Sequence, residues 1–597
     1  MQTIKKFSLL LSSKERIKII FLLLMILTMA LIDLLGVASI MPFIAVLSNP
    51  ELIETNNFLS YAYKIANNFG IITKNRFLFT FGVLVFLLLI ASISFKVMTL
   101  YFQTRFIKMC EYNIATRLIK SYLYQPYSWF LNRNSSTLGK TILSEVSNVV
   151  GKGLAPMMNL ITNIIVTFTI FILLVYVEPK LAAIVILIMS IFYGLVYSFS
   201  RNFLTKIGKE VFEDNEKRFK VLSEAFGASK EVKLGGLENV FINQFSKPTK
   251  NIALRSALIT IISEIPRFTL EAVAFGGMLL ITLYFITLSS DITNVIPIIA
   301  LYAFAGYRLM PALQKIFVSL TSLRVVRPAL DSLYNDLTSL KFIMPIKNND
   351  HLKVNKKICL NNIHYNYPNA SRTALKNISI TIPANKTIGL VGATGSGKTT
   401  TVDILLGLLE AQKGSLEVDG KIIDNENRRA WQSSIGYVPQ QIFLSDNTIS
   451  ENIAFGTDIK DIDQELVRRA AKIANLHNFI MNELPLNYQT TVGERGVRLS
   501  GGQRQRIGIA RALYHKPKVL VLDEATSALD NLTEDAVMKA VHNFEKNITK
   551  IIIAHRLSTV RNCDKIFLFD NGEIKATGTF EELINISDDF RRSAKNH

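Results

Sequence analysis

At 597 residues, with a net charge of +20 and 49% hydrophobic side chains, the chain is too long for one domain and too apolar to be disordered. Its cysteines, Cys110, Cys359 and Cys563, are widely separated and fit neither a disulfide framework nor a metal site, so they are expected as reduced, inert thiols. In a soluble chain this basic excess would suggest nucleic acid; here many Lys and Arg fall in loops between apolar stretches, the positive-inside rule accounts for them, and no nucleic-acid partner is expected.

The segment 1–16 is basic (Lys5, Lys6, Lys14, Arg16) and lacks a small-residue cleavage site after a short apolar core, so a retained first helix is expected. The first span runs from Ile17 to Leu47, long for one crossing, and is expected to tilt or to extend past the bilayer. Between Asn49 and Arg76 the residues Phe58, Leu59, Tyr61, Tyr63, Ile65 and Phe69 recur at mixed helical spacing. They fit a short amphipathic helix at the outer interface or an ordinary loop. The second span, Phe77 to Val97, continues as a polar, basic helix to Pro126. The aromatic stretch Tyr127 to Phe130 then reads as a tight helix between two long ones that project into the cytosol.

Spans three and four, Leu154 to Val177 and Leu181 to Phe199, are separated only by Glu178, Pro179 and Lys180. A second basic excursion, Arg201 to Arg255, contains another candidate docking helix at Phe226 to Lys233. Spans five and six, Ile265 to Leu288 and Ile292 to Leu313, are joined by Ser289 to Asp291. Basic loops alternate with loops poor in Lys and Arg, which gives six spans with both termini cytosolic. Ions within spans are the exceptions, because burying a charge in hydrocarbon is costly. Asp33, Lys96, Glu264, Arg267, Glu271 and Arg308 qualify. Glu264, Arg267 and Glu271 share a helix face and can pair with one another. Arg308 has no acidic neighbour in sequence and is expected to face a cavity; Lys96 lies near a cytosolic end, where it can snorkel.

After a polar linker (341–356) the composition becomes that of a soluble α/β domain, 357–597, against a helical membrane domain over 1–340. The apolar run Thr387 to Val391, followed by Gly392-Ala393-Thr394-Gly395-Ser396-Gly397-Lys398-Thr399 and a helix from Thr400, fits the phosphate-binding loop. Glycines let backbone N–H groups converge on an anion at a helix N-terminus. Lys398 can reach the phosphates, and the Thr399 hydroxyl can sit on Mg²⁺. Ser500-Gly501-Gly502-Gln503, followed by a helix from Arg504 to Tyr514, makes a second such anion site. Lys518 to Glu524 reads as a buried strand ending in two carboxylates: Asp523 can enter the Mg²⁺ shell and Glu524 can polarise a water. Ile551 to His555 reads as a further buried strand ending in a polar residue.

Together the stretches GATGSGKT, LSGGQ, VLVLDE, SALD and AHRLST resemble the ATP-binding-cassette (ABC) ATPases over about 356–590. Six spans followed by a cassette resemble the half-transporter ABC exporters, so the expected fold is an all-α six-helix membrane domain followed by an α/β P-loop ATPase. The resemblance implies ATP and Mg²⁺ as cofactors. It also implies Tyr367 on the adenine, Thr400 beside the phosphates, Gln440 near metal and attacking water, Glu524 as the catalytic carboxylate, Asp530 in the D-loop, His555 on the γ-phosphate, and Glu494 in a loop that touches the membrane domain. It implies a homodimer, each site completed by Ser500 and Gly502 of the partner subunit.

The segments Ile265 to Glu271 and Tyr307 to Pro311 are similar to bacterial flippases of lipid-linked oligosaccharides. That likeness implies Arg267 and Arg308 as contacts to a polyprenyl pyrophosphate. Lys96 departs from the family pattern and is a third candidate. The expected protein is a multi-pass exporter of the bacterial inner membrane with a cytoplasmic cassette, moving a lipid-linked glycan within membrane lipid; an exporter of another lipid, a drug or a peptide is the alternative.

Overall fold

The computed structural model describes residues 2–69, 71–288, 296–340, 352–368, 372–493, 496–525, 531–543, 547–554 and 556–595. The expected outer connection at 289–291 and the linker residues 341–351 lie outside them. The chain divides into two compact units, one of Met1–Gln125 with Asn132–Phe342, the other of Pro126–Leu131 with Ile343–His597.

In the first unit, long runs of apolar residues propagate as helix, even through Pro266 and Pro311, and caps help set where they begin. Ser12 and Glu15 form a reciprocal capping box at the start of Ser13–Ala38, satisfying two of the helix's orphan donors. Among the described residues five stretches are long and apolar enough to cross a membrane: Ser13–Ser48, Lys74–Leu123, Ser136–Val177, Pro179–Gly227 and Ile296–Val325. The expected fifth span lies in a further helix, Glu238–Leu288. The first span is not one rod. It breaks at Ser39 into Ser13–Ala38 and Ile40–Ser48, and the Ser39 hydroxyl donates back to the Gly36 carbonyl at 2.9 Å, a bond that bends helices.

Between the first two spans the helical alternative holds: Asn57–Asn68 is a helix whose Leu59 packs with Val46, Ile53 and Phe77. Glu178 interrupts the chain between Ala155–Val177 and Pro179–Gly227, with Pro179 in the first helical turn, where its missing N–H costs nothing. Gly208 lets two helices touch: a Cβ there would sit 2.5 Å from the Val325 carbonyl oxygen.

In the second unit, Tyr127–Phe130 is the short helix expected. Strands β1 (Lys357–Tyr365), β2 (Leu375–Pro383), β4 (Lys413–Val418) and β5 (Lys421–Ile422) form an antiparallel sheet in the order β2-β1-β4-β5. A second sheet has the order β10-β9-β3-β8-β7-β6, built from β3 (Thr387–Gly392), β6 (Ile435–Val438), β7 (Val519–Asp523), β8 (Thr549–Ile553), β9 (Lys565–Asp570) and β10 (Glu573–Gly578). Its pairings are parallel except at the β10 edge. Every residue of β7 and β8 is buried, as expected of a parallel sheet covered on both faces. In such a sheet, ligands bind beyond the carboxyl ends of the strands. That edge is where β3 delivers the glycine loop and β7 delivers Asp523.

Candidate functional site

The glycine loop leaves β3 at Gly392 and enters the helix Lys398–Leu405, two residues earlier than the sequence suggests. Gly392, Gly395 and Gly397 all have positive φ. A Cβ on Gly397 would lie 2.8 Å from Leu375 Cδ2 and 3.0 Å from the Ala374 carbonyl oxygen, so these positions admit little but glycine. Ser396 Oγ is buried with no hydrogen-bond partner among the described residues. A buried orphan hydroxyl in a glycine cradle at a helix N-terminus fits a polyanion.

Lys398 is buried and donates to the carbonyls of Gly392 at 2.7 Å and Ala393 at 2.9 Å. Burial pulls its pKa down, while Glu524 and Asp523 oppose that shift, which places the ammonium in the field of both carboxylates. Thr400 is buried and its hydroxyl pairs with the Tyr367 hydroxyl at 3.1 Å; Thr399 is exposed. Tyr367, half-buried beyond the end of β1, packs edge-on against Tyr365.

Asp523 ends β7, is buried, and accepts from the Tyr437 hydroxyl at 3.3 Å. Glu524 follows in a left-handed conformation, φ 48°, a strained geometry for a non-glycine residue. Its N–H is held by the Ile553 carbonyl, and its carboxylate accepts from Gln440 Nε2 at 2.7 Å. The fold thus unites three candidates far apart in sequence: the lysine of the glycine loop, the carboxylate pair after β7, and the glutamine after β6. Oxygen donors from Asp523, Thr399 and Gln440 suit a hard cation that keeps few protein ligands beside phosphate.

Ser500 is exposed and caps the helix Gly501–Tyr514. Its hydroxyl accepts from Gln503 N at 3.2 Å, and Gln503 Oε1 accepts from Ser500 N at 2.8 Å. Gly501 and Gly502 therefore form the first helical turn, not a loop ahead of a helix at Arg504. The expected strand Ile551 to His555 is Thr549–Ile553; His555 itself, with Asp530 and Glu494, lies outside the described residues.

Two contributors have no motif to announce them. Asp403, on the glycine-loop helix, has its carboxyl pushed up to about 6 by burial and by Asp523. Arg511 donates to the carbonyls of Asn452 and Phe443, both at 2.8 Å, and so fixes the segment that follows Gln440. Shared helices were the available signal: Asp403 lies on the helix that begins at Lys398, and Arg511 on the helix that begins at the second anion site. Tyr127 shows the same unit from another side. Burial raises its pKa, with Asp403 and Tyr367 adding to the shift.

In the first unit the intramembrane ions pair differently from what sequence spacing suggests. Arg308 does have an acidic partner: its Nη1 lies 3.4 Å from Asp33 Oδ1, which also accepts from Ser92 Oγ at 2.9 Å. Helix packing supplies the partner that sequence proximity lacks. Arg267 pairs with Glu271 at 3.0 Å, but Glu264 turns to Gln314 Nε2 at 2.8 Å. Lys96 is exposed in the single chain. Cys110, Cys359 and Cys563 are free and buried.

Residues 17–312 match the family model of the ABC transporter transmembrane region, and residues 375–527 that of the ABC transporter. The ATP-dependent lipid A-core flippase of Saccharophagus degradans is 32% identical over 496 residues, 82% of each chain. ABC transporter B family member 15 of Arabidopsis thaliana is 43% identical over 233 residues, 39% of this chain and 18% of that protein. A solved structure of a bacterial Atm1-family ABC exporter with ATP bound superposes with a TM-score of 0.78, over 98% of this chain and 99% of that one. At 20% identity that likeness is one of fold.

Proposed function

This chain belongs to the ABC transporters, a multi-pass membrane domain fused to an ATP-binding ATPase, and from that premise we propose that it flips a lipid-linked oligosaccharide, a polyprenyl-pyrophosphate glycan. It works as a homodimer in a bacterial inner membrane, the membrane domain at 1–340, the linker at 341–356 and the cytoplasmic cassette at 357–597. The observation that carries the cargo class is a cation inside the spans: Arg308, whose guanidinium, among the described residues, meets Asp33 through Nη1 alone at 3.4 Å. Cations are too expensive to keep in hydrocarbon without an anion to bind, and a guanidinium fork suits phosphate oxygens. The lipid A-core flippase supports the class, because its name describes a lipid bearing a glycan.

In the cassette, residues 392–400 cradle the phosphates, Lys398 neutralises them, and Tyr367 takes the adenine. Mg²⁺ would be held by Thr399, Gln440 and Asp523 and would supply charge stabilisation on the transferred phosphoryl group. Glu524 polarises the attacking water, and Gln440 holds that carboxylate through the bond at 2.7 Å. His555 and Asp530 take the γ-phosphate and D-loop roles. Ser500 to Gln503, with the exposed Ser500 cap, close the site of the partner subunit.

The test is ATPase stimulation of the purified protein in lipid by polyprenyl-pyrophosphate glycans, simple lipids and drugs. The expected result is stimulation by the pyrophosphate glycans at the lowest concentration. Stimulation by uncharged drugs alone would transfer the reading to a drug exporter.

A further inference from the structure

On the topology proposed above, two cavities adjoin at the cytosolic ends of the spans. The first, of about 660 Å³, is walled by the N-terminal helix Gln2–Leu10 and by the first, third, fourth and sixth spans. It is largely apolar, with Ile19, Leu160, Ile161, Leu320 and Leu323 in its lining. The second, of about 800 Å³, runs along the helix that leaves the fourth span and is basic, lined by Arg201, Lys206 and Lys209. Arg324 and Arg327 line both.

The acids beside the basic cavity are already engaged. Glu213 pairs with Lys209 at 3.8 Å, and Asp331 accepts from Lys6 at 2.7 Å while Arg327 Nε stands off at 3.9 Å. Among the described residues Arg201, Lys206 and Arg324 have no acidic partner. Arg324 is held in place without being neutralised: its Nε and Nη2 donate to the Tyr197 hydroxyl at 3.2 and 2.9 Å. Its charge is thereby fixed at the seam between the two cavities, and Nη1 makes no hydrogen bond among the described residues. Solvated lysines account for a basic surface. They do not account for an apolar chamber beside it that shares two arginines with it.

We propose that the paired cavities hold one anionic glycerophospholipid of the cytosolic leaflet, as a resident lipid and not as cargo. Its phosphate sits at Arg324 and Arg327, and an acyl chain fills the apolar chamber. Basic pockets between spans on the cytoplasmic side suit anionic headgroups, a guanidinium suits phosphate oxygens, and burial of the chain adds the hydrophobic contribution. The site is separate from the cargo cation, since Arg324 lies about 24 Å along the same helix from Arg308. Ile4 and Leu11 from the N-terminal segment form one wall, so the lipid would join that segment to the sixth span. The inference uses the membrane topology proposed above and is independent of which cargo is carried.

The experiment equilibrates the full-length protein with equal amounts of phosphatidylglycerol and phosphatidylcholine, washes it in detergent, and counts the lipid retained per chain by native mass spectrometry. The wild type should retain phosphatidylglycerol over phosphatidylcholine by about tenfold. Arg324→Gln combined with Arg327→Gln should bring that preference within about twofold, whereas Arg308→Ala should keep it. Ile161→Trp, which fills the apolar chamber and leaves every charge in place, should lower the retained phosphatidylglycerol about fivefold; it carries the test if the double arginine variant does not fold. Equal retention of the two lipids by the wild type, the outcome if helices of the partner subunit fill the chambers, overturns the inference. So does an unchanged preference in the double arginine variant, or unchanged retention in Ile161→Trp. A loss in Arg308→Ala as large as that in the arginine pair also overturns it, by assigning the lipid to the cargo site. No arm reads flipping, so failure of the oligosaccharide reading leaves these results standing.

Discussion

The cassette and the membrane domain handle charge in opposite ways. In the cassette, charged groups converge on a strand-end edge where backbone geometry has already fixed them: Lys398 by its own loop carbonyls, and Glu524 by a strained turn and the Gln440 amide. In the membrane domain Asp33 and Glu264 are answered from other helices, Asp33 by Ser92 and Arg308 and Glu264 by Gln314, while Arg267 pairs with Glu271 on its own. A phosphate cradle needs contiguous residue types, so chemistry writes itself as motif. A buried ion needs only one neighbour in space, which any helix can supply.

The sharpest way to break this contrast is Glu524→Gln. If backbone geometry alone made the site, the isosteric amide would still turn over. The carboxylate account expects hydrolysis to fall about 100-fold or more with ATP binding retained, measured as phosphate release beside nucleotide affinity. Near-normal release would remove Glu524 from its role.

A smaller effect is expected where the aromatic segment 126–131 belongs to the second unit. Replacing both Trp129 and Phe130 by Ala should lower transport about fivefold and basal ATPase by less than about twofold. Equal losses in the folded protein would make the segment a stability element.

Arg267→Ala should matter less still. Arg267 is already paired with Glu271 on its own helix, and exposed i,i+4 pairs contribute only about 0.3–0.5 kcal/mol. Transport should stay within about twofold, and a tenfold loss would make Arg267 a cargo ligand.

The smallest effect concerns Asp403. Its carboxyl is raised from 3.8 to about 6, so the fold disfavours the ionised form. That cost is absent below the ordinary carboxylate range, develops as pH rises through about 6, and is complete above it. Asp403→Asn should raise the cassette's thermal midpoint by about 1–3 °C at pH 7.5 and by less at pH 5. An equal gain at both values would make the effect one of packing.

The same contrast explains what the sequence made legible. The glycine loop, the β7 carboxylates, the signature helix and the long apolar spans were readable because each is a local pattern with one physical explanation. The resemblance implied Gln440 near metal and attacking water but not its bond to Glu524, which depends on the parallel pairing of β6 with β7 bringing those strand ends together. The start of the Gly501–Tyr514 helix was misplaced because glycine is a poor interior helix former, and here Ser500 and Gln503 cap it reciprocally. In the membrane domain, same-helix spacing pointed correctly to Arg267 with Glu271. It missed Arg308 with Asp33, since nothing in either stretch records that the first and sixth spans are adjacent.

The central claim is that Arg308 receives an anionic lipid headgroup. Flipping of a fluorescent polyprenyl-pyrophosphate glycan in vesicles, with expression matched, tests it most directly. Arg308→Ala should cut flipping about tenfold or more while basal ATPase stays within about twofold, and Arg308→Lys should restore only part, because an ammonium keeps the charge and loses the fork. Unchanged flipping by Arg308→Ala would contradict the claim and favour an exporter whose cargo carries no anionic head.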